Sequence, residues 1–147
     1  MAHIEVLRAT ELWQQAGAYY VRIHAMMREH NIPLHAEIDG HDGPDTKYIV
    51  VLSDEFPVAT CRFYDLDEKS VMIGRVVVLQ EFRGMGLGEL VMREAEKWLV
   101  ELGYEKAVLE SRDVAVGFYK KLGYTEVDGT AYFVDPFTCV RMEKNLS

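Results

Sequence analysis

From Leu12 onward, apolar residues return at steps of three and four: Leu12, Trp13, Ala16, Tyr20, Ile23 and Met27. That spacing predicts an amphipathic helix. Thr10 stands where it can cap the start, and the helix should stop before Ile32-Pro33, because proline disfavours helix in its predecessor. Ahead of it, His3 to Leu7 alternates apolar and polar residues in the manner of a strand. Residues 34–46 hold Gly40, Gly43 and Pro44 among acids and read as at least partly loop. Three strand-type runs follow, Tyr48 to Leu52, Val58 to Leu66 and Val71 to Leu79, with tight turns at Ser53-Asp54-Glu55 and Asp67-Glu68-Lys69. They predict an antiparallel meander. Its last run ends Val76-Val77-Val78-Leu79, apolar at every position, which predicts burial on both faces.

After a glycine-rich stretch the period changes to that of a helix. Leu87, Leu90, Val91, Ala95, Trp98, Leu99 and Leu102 share one face, and Gly103 ends the run. Ala107-Val108-Leu109 reads as a strand. Ser111 or Asp113 caps a short helix through Lys121 that Gly123 ends, and two strands follow near Tyr124 to Val127 and Phe137 to Glu143. Strand, crossover helix and strand across residues 71–110 predict one parallel pair inside a largely antiparallel sheet. The fold class is mixed α/β, read as a single domain over residues 1–147.

Composition trims the choices. The chain has 147 residues, 49% of them apolar and 27% charged, as expected of a globular domain with its own core. Sixteen basic against 24 acidic residues give a formal charge of −8, which argues against broad nucleic-acid binding. Acidity alone gives little reason to infer a cationic substrate, since it also serves solubility. Cys61 and Cys139 are too few for a disulfide framework, and the five histidines match no metal spacing, so no metal is expected. No run nears the roughly 18 apolar residues of a membrane span, and no leader is visible, so a cytoplasmic protein off the membrane is the expectation.

The chemistry gathers at Arg83-Gly84-Met85-Gly86-Leu87-Gly88, between a buried strand and a helix. Glycines let the chain turn tightly, and the free N–H groups and positive dipole end of the helix attract phosphate. Arg83 can add a guanidinium. The dinucleotide spelling G-x-G-x-x-G fails here, as does the triphosphate loop's G-K-[ST], because Glu89 follows Gly88. A turn without a ligand is the plain alternative for a lone glycine triplet.

The loop resembles the [QR]-x-x-G-x-[GA] motif of the GNAT N-acetyltransferases. Downstream, Ala115-Val116-Gly117-Phe118-Tyr119-Lys120-Lys121-Leu122-Gly123-Tyr124 is similar to that family's A-x-x-F-Y-x-x-L-G-[FY] segment, at the expected separation. The likeness covers roughly residues 47–125, and the tail resembles that of a small single-domain bacterial branch. It implies a twisted, mostly antiparallel sheet of about six or seven strands with about four helices, splayed open after the central strand. It also implies acetyl-CoA as cosubstrate, its pantetheine along the backbone of Val76, Val77 and Val78 and its pyrophosphate on residues 83–88. A neutral primary amine, on a small molecule or a protein, would attack the thioester directly.

Such a reaction needs a base, because an amine's pKa is near ~10.4. Glu110 is the first choice, ahead of Glu81 and Glu37. The backbone N–H of Val78 is the oxyanion donor, and Tyr119 matches the tyrosine that returns a proton to the CoA thiolate. Packing is the competing role for Tyr119. Arg112 stands where the family often has asparagine and can still meet the cofactor or substrate. Gln80 replaces a frequent proline, and Thr138-Cys139 replaces P-H. Cys139 as a nucleophile lacks a visible base and reads better as a small buried residue, as does Cys61. His35, Glu37, Asp39, His41 and Asp42 crowd one stretch, either a solvated loop or an acceptor entrance that selects a cation. A CoA-binding sensor without turnover is the competing function. Exposed sheet edges allow a homodimer, and sequence does not name the acceptor.

Overall fold

The structure, a computed structural model, describes residues 2–127 and 131–146. Its frame is an eight-stranded sheet among the described residues, ordered β1-β2-β3-β4-β5-β8-β6, with β7 beside β8. The strands are β1 (Ile4–Arg8), β2 (Lys47–Ser53), β3 (Phe56–Asp65), β4 (Ser70–Val78), β5 (Lys106–Arg112), β6 (Thr125–Glu126), β7 (Tyr132–Val134) and β8 (Phe137–Asn145). β4 and β5 run parallel and every other pair runs antiparallel, as the crossover predicted. β7 is the strand that the pattern missed. At three exposed residues it is too short to show a period.

α4 (Leu87–Glu101) is the crossover helix. It buries Leu87, Val91, Met92, Ala95 and Leu99 over one face of the sheet, in the main core with Ile49, Phe63, Ile73, Leu109 and Met142. Leu102, expected on that face, is exposed because the helix ends one residue earlier. α5 (Val116–Lys121) contributes Tyr119 to the same core.

α1 (Leu12–Arg22) lies on the opposite face, and here the expected apolar stripe is turned outward. Leu12 is 81% exposed and Trp13 55%, whereas Gln14, Ala18, Val21 and Arg22 are buried. Small residues explain the choice. Ala18 packs with Tyr48 and Val50, and a β-carbon at Gly17 would already stand 3.4 Å from Val50 and Pro57. Large side chains at positions 17 and 18 would push the helix off the sheet. The cap also differs from Thr10: Glu11 holds the position, and the Gln14 side chain accepts the N–H groups of Thr10 and Glu11. The helix continues through a π-helical turn, Ile23–Met27, into α2 (Arg28–His30), and Asn31 ends it in the left-handed region.

The segment read as at least partly loop is loop around α3 (Leu34–Glu37), with His35, Gly40, His41 and Asp45 exposed. Glu37, Asp39 and Asp42, in contrast to a solvated cluster, sit against arginines from other elements. Arg22, itself fully buried, meets Glu37 at 2.9 Å and Asp42 at 2.7 Å. Arg62 meets Asp39 at 2.8 Å and Asp42 at 2.9 Å. Arg75 meets Glu37 at 3.0 Å and Asp39 at 3.1 Å. Three positive charges against three negative ones leave this patch neutral. Burial alone would raise the Asp42 carboxyl, but the Arg22 guanidinium outweighs it and holds the group well below the usual carboxylate range.

Candidate active site at the split in the sheet

β4 and β5 pair only from Ser70↔Lys106 to Ile73↔Leu109 and then separate. Beyond that point one edge of β4 has no strand beside it among the described residues. Hence Val76, Val78 and Leu79 are only half-buried, against the expectation of burial on both faces. The separation coincides with a bulge. Thr60 pairs with Val77 but Arg62 with Gly74, so Arg75 and Val76 together face Cys61.

The register decides which backbone groups the open edge offers. Leu79 donates to the Val58 carbonyl at 2.9 Å, so Val58 and Leu79 form a hydrogen-bonded pair. Ala59 and Val78 are then a non-hydrogen-bonded pair, and Thr60 and Val77 a bonded one. Val78 therefore points its N–H and C=O into the split, while those of Val77 are spent on β3. Of the three valines named from sequence, Val77 has no backbone group free for a ligand.

The glycine loop closes the top of the split. Gly84 and Gly86 have φ of 79° and 80°, a region few other residues tolerate, and Gly86 precedes the first turn of α4. That turn's N–H groups have no acceptor within the helix. A β-carbon on Gly88 would stand 3.3 Å from the Phe118 ring. Val78, Phe82, Arg83, Gly84, Gly86, Leu87, Gly88, Glu89 and Phe118 line a cavity of about 370 Å³. Met85 lies in the same loop with its side chain exposed. Free N–H groups, a helix N-terminus and a wall cleared of β-carbons suit the pyrophosphate and pantetheine of an acyl-CoA.

Arg83 is placed differently from the expectation. Its Nε donates to the Val78 carbonyl at 3.0 Å, and its two terminal nitrogens grip Glu29 of α2 at 2.8 and 2.7 Å. The guanidinium thus lies across the split rather than over the glycine loop. No signal in the sequence links residues 29 and 83.

Tyr119 is buried, edge-on to Phe118 and Tyr124 at centroid distances of 5.0 and 5.9 Å. Burial, and secondarily the neighbouring Cys61, pushes its phenol above the ordinary value, so the proton is held at neutral pH. Glu110 lies on the other side of β5. It follows Leu109, the last residue paired with β4, and it is exposed on the face opposite α4. Tyr132 of β7 faces it, and burial together with the Glu110 charge pushes that phenol up to about 12. Tyr64 lies nearby, with His41 stacked on it at 4.1 Å. Sequence reasoning missed both tyrosines.

The other named residues have surroundings of their own. Glu37 is 1% exposed and held by two arginines, so it is not available as a base. Glu81 is exposed on the short 3-10 turn Gln80–Phe82. Arg112 lays its guanidinium over Phe137 at 4.2 Å. Cys139 pairs with Arg112 and Tyr132 across β8, and burial raises its thiol, with Glu110 adding to the effect. Burial pushes the Cys61 thiol up to about 12. Neither cysteine has the environment of a nucleophile.

Known proteins resemble this chain in sequence and in overall fold. The acetyltransferase (GNAT) family profile matches residues 6–124. The uncharacterized N-acetyltransferase YjcF of Bacillus subtilis is 34% identical over 111 residues, 76% of this chain and 78% of that one. A solved structure of a candidate N-acetyltransferase from Lactobacillus plantarum superposes with a TM-score of 0.91 at 26% identity, covering 98% of this chain and 99% of the other. An acyl-CoA N-acyltransferase from Pseudomonas aeruginosa shares the fold at a TM-score of 0.83 and 24% identity, over 98% and 99% of the two chains. With its split sheet, its glycine loop and these relatives, the chain belongs to the acetyltransferase (GNAT) family and is an acyl-CoA-dependent N-acetyltransferase.

Proposed function

We propose that this enzyme moves the acetyl group of acetyl-CoA onto a primary amine by direct attack, with both substrates bound together. The observation that carries the reading is the unpaired edge of β4. Val78 turns its N–H into the split directly below the glycine loop, where an extended pantetheine can pair as an added strand does. The thioester supplies an activated carbonyl, and the chain's groups act on either side of it.

Val78 N–H donates to the carbonyl oxygen as negative charge grows there. Glu110 takes the proton of the amine, directly or through water, from the floor on the side away from α4. Tyr119, protonated at neutral pH, gives a proton to the departing sulfur. The raised thiols of Cys61 and Cys139 favour direct attack over an acetyl-cysteine step. The acids of residues 37–42 are matched by arginines, so they give no support to selection of a cationic acceptor.

The test is thiol release from acetyl-CoA across a panel of amines, beside calorimetry with acetyl-CoA. Amine-dependent release with acetyl-CoA binding is expected. Binding without release for any amine would favour a sensor, and absence of binding would remove the cofactor assignment as well.

A further inference from the structure

Arg75 has a φ of 51°. The left-handed region favours glycine at such a bulge, and a glycine is available next door at Gly74, yet arginine occupies the strained position. Something must offset that cost, and the guanidinium shows what. Its Nε lies 3.0 Å from a Glu37 carboxylate oxygen, and one terminal nitrogen donates to Asp39 at 3.1 Å and to the Ala36 and Glu37 carbonyls at 3.3 Å each. Glu37 is fixed in turn by Arg22. These hydrogen bonds and ion pairs of Arg75 therefore run to residues 36–39, the stretch leading to His41 and its stack on Tyr64. On its own strand, Arg75 immediately precedes Val76 to Val78, and it follows the last β4–β5 pair by two residues.

We propose that Arg75 is a positioning residue for the acceptor. Its side chain fastens the segment 36–42, whose His41 stacks on Tyr64 close to Glu110, to the bulge that carries the reacting edge of β4. The inference rests on the acetyl-transfer reading above and adds a residue to it. Arg22 and Arg62 hold the same segment, but from α1 and β3. Arg75 holds it from the strand whose free edge meets the thioester, so it sets the distance between amine and carbonyl.

Three variants separate backbone from side chain. Arg75→Gly accepts the φ without strain and deletes the side chain, guanidinium included. Arg75→Ala keeps the strain without its anchor. Arg75→Lys restores the charge. For Arg75→Gly, amide exchange over residues 36–42 should rise about tenfold while that of 76–78 stays level. Its acetyl-CoA affinity should stay within about twofold, and the KM for the best panel amine should rise about fivefold or more with kcat little changed. Arg75→Lys should recover part of the KM, and Arg75→Ala should also disturb 76–78. Unchanged exchange at 36–42 in Arg75→Gly overturns the proposal. So does an unchanged amine KM, or a loss of acetyl-CoA affinity as large as the rise in KM. A wild-type enzyme that acetylates no amine sinks the acetyl-transfer reading instead, and the exchange pattern then decides whether Arg75 fastens residues 36–42.

Discussion

Tyr119 and Gly88 sit on neighbouring elements and should fail in opposite ways. Replacing Tyr119 by phenylalanine keeps the ring that packs against Phe118 and Tyr124 and removes only the hydroxyl. If that hydroxyl gives its proton to sulfur, kcat should fall about tenfold or more while acetyl-CoA affinity barely moves, because the lost contact belongs to the transition state. Unaltered turnover would return Tyr119 to a packing role. Gly88→Val should do the reverse. The added β-carbon would lie 3.3 Å from the Phe118 ring and two methyls would enter the cavity. Acetyl-CoA affinity, measured by calorimetry, should drop about tenfold, roughly 1.4 kcal/mol, with little change in the thermal unfolding midpoint. The glycine loop was legible as a tight strand-to-helix turn because its glycines stand at alternate positions in one short stretch of sequence. The partner of Arg83 was not, because that pairing is made through space.

At the scale of elements, the Arg83–Glu29 pair joins the glycine loop to α2, 54 residues away in sequence. A guanidinium that spends three of its five N–H donors on a carboxylate and the Val78 carbonyl has fewer left for a phosphate. Removing the competing charge with Glu29→Gln should therefore tighten acetyl-CoA binding. A half-exposed pair contributes about 0.2–1 kcal/mol, so the gain should be about one-and-a-half-fold to fivefold. In an Arg83→Ala background the Glu29 effect should vanish, and an effect of equal size there would mean that Glu29 acts by another route. Elements differed in how openly the sequence declared them. α4 was plain because one stripe of large apolar residues is its only candidate face. α1 and the π-helical turn after it carry two stripes of helical spacing, one large (Leu12, Trp13, Tyr20) and one small (Ala18, Val21, Ala25), and periodicity cannot say that the sheet takes the small one. The open edge of β4 was hidden for a related reason. Valines there fit a strand buried on both faces as well as one beside a cleft.

Across the whole molecule, the six charges joining α1, α3, β3 and β4 should set the response to acid. Sequence showed the acids as a polar cluster, but their partners are drawn from three separate elements, so neutralisation appears only in the fold. Asp42, 2% exposed at its side chain, has a folded pKa far below the ordinary ~3.9, and that of Asp39 is lowered as well. A carboxyl whose pKa falls on folding stabilises the fold fully above its unfolded value. As pH drops below that value the unfolded chain takes up the proton first, and stability is lost until the folded pKa is reached. Stability should thus be level from neutral pH to about pH 5 and fall steeply below about pH 4, with Asp42 alone adding a slope of up to about 1.36 kcal/mol per pH unit. Asp42→Asn should destabilise the protein at pH 7 by about 3–5 kcal/mol, since Arg22 and Arg62 stay buried beside a lost charge, and its curve should be shallower below pH 4. Urea unfolding at a series of pH values measures both. Raising salt supplies the control, because it screens exposed pairs such as Arg8 with Glu101 but reaches the buried network far less. An acid slope in Asp42→Asn as steep as in the wild type would assign the acid response to other carboxyls.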